Sequence, residues 1–139
     1  MTPRIAITAL VFGLLLSAQT WGGTPAPAGA EVYIISPADG AVVTSPVTVR
    51  FGASGVGVAP AGTGAANTGH HHLIIDADLP PLDQPIPKDD NHIHFGGGQT
   101  EARIELKPGK HTLQLLMGDG VHVPHDPALM SKKITITVQ

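Results

Sequence analysis

The sequence contains no cysteine. That excludes disulfides, thiolate zinc sites, iron–sulfur clusters and cysteine-ligated blue copper. It also lacks an excess of cations: 8 Lys and Arg stand against 11 Asp and Glu, for a net charge of −3 with the histidines neutral. A nucleic-acid partner, which asks for a basic face, is therefore not expected. No hydrophobic run is long enough to span a bilayer as a helix. The longest, residues 5–16, has 12 residues, where a span needs about 20. Beyond residue 30 there is neither an amphipathic helix nor a βαβ pattern. Ser36, Ser45, Ser54 and Ser131 lie in no nucleophile motif, and Gly96-Gly97-Gly98 lacks the strand–helix context of a phosphate cradle.

What is present begins with an export-type leader. Arg4 supplies a positive start, residues 5–16 form the apolar stretch, and Ala28-Gly29-Ala30 offers a small-residue cleavage site before Glu31. Ala26-Pro27-Ala28 is the second choice of site, and an uncleaved N-terminal anchor is the alternative. The expected organisation is a signal peptide, 1–30, and one domain, 31–139, with no membrane span after cleavage. Removing Arg4 takes the charge from −3 to −4, and 139 − 30 leaves 109 residues, enough for one modest core. The expected location is the periplasm or the outside of the cell.

The rest reads as short strands separated by turns. Residues 31–36 form a β-rich run closed by Ser36-Pro37-Ala38-Asp39-Gly40, a turn in which proline presets φ. Residues 41–45 suit a short edge segment. Val47, Val49 and Phe51 alternate inward. Residues 52–69 are rich in Gly, Ala and Pro and form a long loop, with an extended piece at 56–58. Strands follow at 70–76, 92–95, 100–107, 111–117 and 133–138. In the third of these Thr100, Ala102, Ile104 and Leu106 are expected to face inward. About seven strands with frequent turn signals indicate an all-β, immunoglobulin-like antiparallel sandwich.

The chemistry lies in eight histidines. His70-His71-His72 run straight into Leu73-Ile74-Ile75; His92 and His94 sit on a short strand; His122 and His125 occupy the loop before the last strand. In a simple antiparallel order these three clusters fall at one pole, beside the 52–69 loop. His111 falls at the other, at a corner where such folds often place a tyrosine that bonds back to the backbone, and it is expected to be structural. Pleating puts His70 and His72 on one face and His71 on the other with Leu73 and Ile75. Imidazole is the commonest metal ligand. The expected metal ligands are His70, His72, His94, His122 and His125, with His71, His92, Asp119 and Asp126 as secondary candidates. The two carboxylates serve either as ligands or as acceptors that orient the rings.

An imidazole-rich, thiolate-free site suits a transition metal ion, with copper first and zinc second. Met117 on its apolar strand reads as core. The expected role is a carrier, buffer or accessory factor rather than an enzyme. Copper-dependent superoxide chemistry, as in sandwich-fold dismutases, is disfavoured by the absence of their ligand spacing. The rival reading is a metal-free pole that binds another periplasmic protein or a cell-envelope ligand.

Four strings carry a family resemblance: Gly69-His70-His71-His72-Leu73-Ile74-Ile75-Asp76, His94-Phe95-Gly96-Gly97-Gly98-Gln99-Thr100-Glu101, Pro108-Gly109-Lys110-His111-Thr112-Leu113-Gln114-Leu115, and Gly118-Asp119 through His122-Val123-Pro124-His125-Asp126-Pro127. Together they resemble a bacterial family of exported proteins known as domain-of-unknown-function family 4399, over residues 69–138. The resemblance implies one domain over 41–139 and assigns no catalytic residue.

Overall fold

A computed structural model describes residues 22–139; the Arg4 and 5–16 features of the expected leader lie outside them. No helix occurs among the described residues. Nine strands are present: β1 (Glu31–Ser36), β2 (Val42–Val43), β3 (Val47–Ser54), β4 (Gly57–Val58), β5 (Thr68–Ile75), β6 (His92–His94), β7 (Glu101–Ile104), β8 (Gly109–Gly118) and β9 (Ile134–Val138). Seven are those expected from periodicity. The other two, β2 and β4, are two-residue edge strands paired in parallel to β9 and β5. Such short edges offer little backbone for unwanted pairing.

The strands form a β-sandwich. One sheet has the order β1-β3-β7; the other has β2-β9-β8-β5-β4, with β6 also pairing to β5. Every pair among the longer strands is antiparallel. The core forms where the inner faces meet. Val47, Val49 and Phe51 of β3 face Leu73 and Ile75 of β5, and Leu113, Leu115 and Met117 of β8. Each such side chain contributes about 1.5–3 kcal/mol by leaving water. Truncating Leu115, fully buried, to alanine costs about 2–5 kcal/mol.

One strand is shorter than its alternation suggests. β7 begins at Glu101, and Thr100 is exposed rather than inward; its carbonyl accepts the Phe51 N–H as the chain enters the sheet from the glycine turn. β8 departs from alternation in the other direction. Leu113, Gln114, Leu115, Leu116 and Met117 are all buried. The reason is that loops cover the outer face of the large sheet. Ile86, from the proline-rich 76–91 loop, packs with Ile74 and Leu116 in a second, smaller apolar cluster. That covered outer face is where the histidines gather.

The segment before β1 is joined to the sandwich. Pro25 bridges Asp126, Ala26 N–H donates to the Asp126 carbonyl, and Asp126 N–H donates to the Thr24 carbonyl. Ala26 and Ala30 pack against the core. Residues 22–30, which the sequence assigns to the leader, therefore carry contacts that a cut after Ala30 would remove.

Candidate metal centre

β5 holds the first two ligands by its pleat. His70, His72 and Ile74 point to the outer face, while His71, Leu73 and Ile75 point into the sandwich. Antiparallel register then sets His94 of β6 directly opposite His72, and directly opposed residues share a face. The two rings are 5.0 Å apart, centroid to centroid. On the other side of β5, Gly118 of β8 stands opposite His70. A Cβ at Gly118 would lie 2.9 Å from the His72 ring and 3.3 Å from the His122 backbone, so the absent side chain is what lets the next loop fold back over the strand. Gly96 does the same for His94, whose ring occupies the place its Cβ would take.

His122 completes the group from that loop. Its φ is +69°, a left-handed conformation that costs a non-glycine residue about 1–2 kcal/mol. The cost is carried by Asp119. The Asp119 Oδ1 accepts N–H bonds from Val121 and Val123, both at 3.0 Å. The Asp119 carbonyl accepts the His122 N–H, and the Asp119 N–H donates to the Val123 carbonyl. The His122 carbonyl in turn accepts the Ile86 N–H at 2.8 Å, which ties the two covering loops together. Strain held by surrounding bonds is a mark of a functional position.

The result is a four-histidine cluster. His70, His72, His94 and His122 each offer one ring nitrogen, and these lie within 4.8 Å of one another. The His70 Nε2 and His122 Nδ1 are 3.0 Å apart. Metal–imidazole bonds of about 2.0–2.1 Å require donors about 3.4 Å apart in a tetrahedron. The four nitrogens are thus gathered at a spacing that could hold one ion. The Nδ1 of His70, the Nδ1 of His72 and the Nε2 of His94 are buried with no hydrogen-bond partner, as are both ring nitrogens of the core-facing His71, an arrangement that costs about 1–3 kcal/mol per group.

Electrostatics disfavour protonation of three of these rings. Burial, then the neighbouring His122 and His94, lowers the His70 pKa to about 4. Burial, then His70, His94 and His122, lowers His72 to about 3. Burial also lowers His94, with help from His122 and Lys88. Metal binding needs deprotonated imidazole, and the lowered pKa values of His70, His72 and His94 favour that form.

The remaining candidates sit elsewhere. His125, expected among the ligands, is outside the cluster. Pro124 bridges Gly118 and turns the chain, so the His125 ring is directed toward the start of β5, with Nε2 3.2 Å from the Thr68 carbonyl. His71 faces the core, 5.2 Å from the Phe51 ring, and burial lowers its pKa to about 4. The His92 Nδ1 is paired with Asp89 at 2.8 Å. Asp119 offers no free oxygen, since its Oδ2 accepts the Thr24 hydroxyl at 2.9 Å; it positions the loop. Asp126 is exposed and joins the 22–26 segment through its backbone. Met117 lies in the main core and Met130 beside Leu116.

Comparison with known families agrees with the sequence motifs. A family model described as a domain of unknown function, DUF4399, matches residues 49–139. The chain belongs to this family. The matched region contains all four clustered histidines, Gly118 and Asp119. No curated protein and no solved structure gives a match.

Three contributors have no motif in the sequence: Ile86, Lys88 and Thr24. The Pro85-Ile86-Pro87 string holds the one clue, a β-branched apolar residue fixed between two prolines.

Proposed function

We propose that this DUF4399 protein is an exported metal-binding protein whose four histidines hold one transition metal ion. The observation that carries the reading is the convergence of four imidazoles, from β5, β6 and the loop after β8, to within 4.8 Å. All the donors are borderline-soft nitrogens. Such a set favours Cu(II), which tops the divalent affinity order, and then Zn(II), which takes it as a tetrahedron. Mg(II) and Ca(II) want oxygen and are disfavoured. The role is that of a carrier, buffer or accessory factor.

The test is metal analysis of untagged protein, followed by Cu(II) and Zn(II) titration. One ion per chain is expected, with binding abolished by joint replacement of His72 and His94. Failure of both ions to bind at micromolar concentration would sink the reading and favour a metal-free pole that binds a protein or cell-envelope ligand.

A further inference from the structure

A divalent ion in this cluster meets four imidazoles and no carboxylate. The Asp119 carboxylate, whose field reaches His70, is engaged through both oxygens by Val121, Val123 and Thr24. The ion's full charge would thus lie beside His70 and His72, which are 0% and 1% exposed. Burying charge without a counter-charge is expensive. One side of the cluster is open. A pocket of about 180 Å³ is lined by His72, His94 and His122, with Ile86 and Lys88 completing its wall. Among the described residues Lys88 forms no ion pair, and its positive field reaches His94. The pocket therefore joins three ligand rings to an unneutralised lysine. Its size selects the guest: water takes about 30 Å³ in the liquid, so the space admits an anion of a few heavy atoms and falls short of the about 300 Å³ of a typical organic-ligand pocket.

We propose that this pocket binds a small inorganic or one- to two-carbon anion as an additional ligand to the metal, drawn in by the ion and by Lys88. The inference rests on the four-histidine reading and names the exogenous ligand of that site. The anion neutralises part of the ion's charge.

The test uses the full chain loaded with Cu(II) and titrated with azide, followed by its charge-transfer absorption and by electron paramagnetic resonance. Saturable 1:1 binding is expected. Replacing the exposed Lys88 by methionine should leave copper content unchanged and weaken azide about three- to tenfold, with Lys88→Arg retaining most of the affinity and added salt weakening the wild type. A copper-loaded protein that shows no azide-dependent change overturns the anion site while leaving the metal reading intact. Equal azide affinity in wild type and Lys88→Met overturns the role of the lysine. A chain that holds no copper overturns both readings.

Discussion

The two ends of β8 treat histidine in opposite ways. At Gly118 the strand lies under His70, His72, His94 and His122, whose rings are crowded together. Burial and mutual repulsion lower the pKa values of His70, His72 and His94. Seven residues earlier, about 23 Å along an extended strand, His111 has both nitrogens engaged. Its Nδ1 lies 2.6 Å from the Asp76 carboxylate and its Nε2 2.8 Å from the Lys107 carbonyl. Asp76, then the Lys107 carbonyl, raises its pKa. Each end also has an aspartate organising a left-handed residue: Asp119 supports His122, and Asp76, itself at φ +53°, accepts the Thr112 N–H. The scaffolding is the same in kind. What differs is whether the carboxylate faces the imidazole. Where it does, the ring is a structural tie whose charged form is favoured; where it is turned away to the backbone, the rings keep bare lone pairs.

The contrast can be broken most strongly at the ligands. Replacing His72 or His94 by alanine should lower copper affinity by at least about 100-fold, since even the partners that merely orient ligands are worth 10–100-fold; calorimetric titration reads this directly. His111→Ala should leave that affinity unchanged.

Acid should separate the two ends next. For His71 the folded pKa, about 4, lies below the unfolded value of about 6.5. The unfolded chain therefore binds more protons in that window. Stability is fully present above about pH 6.5 and falls as pH drops toward 4, by about 3 kcal/mol from this residue. Denaturant unfolding of the metal-free protein across pH 4–7 should show that slope. His71→Leu should make that slope shallower, whatever the variant's stability at pH 7, and the slope that remains belongs to His70, His72 and His94.

Asp119→Ala should come third. It strands the N–H groups of Val121 and Val123 and releases Thr24. A stability loss of about 1–3 kcal/mol is expected, together with a 10–100-fold loss in metal affinity as His122 loses its support. Deleting residues 22–30 should reproduce part of both effects. An unchanged affinity in either variant would mean that His122 holds its place without that carboxylate.

The smallest effect belongs to the His111 corner. A raised pKa contributes stability that is complete below the unfolded value and is lost as pH climbs through the folded one. His111→Gln should therefore cost about 1 kcal/mol at pH 6 and less at pH 9. A cost that grows with pH would show that the tie to Asp76 is not ionic.

Much of this was legible in the chain. Alternation located seven strands, and the period of two put His70 and His72 together and His71 on the other face. Antiparallel order sent three histidine clusters to one pole. The residues that escaped are those whose role comes from loops. Periodicity says nothing about how residues 119–126 turn, so His122 and His125, three positions apart, looked equivalent. Asp119 and Pro124 send them different ways.

The sequence by itself determined the material of the site. Without cysteine, any ligand set had to come from imidazole, carboxylate or thioether, and histidines on alternate positions of paired strands put imidazole first, because pleat and register are local rules that a sequence obeys residue by residue. Only the tertiary structure decided which imidazoles meet, which carboxylate is withheld from them, and that Ile86 and Lys88 border the opening. Those are matters of loop path and of burial, set by contacts between residues up to about a hundred positions apart, such as Thr24 with Asp119, that no local pattern encodes.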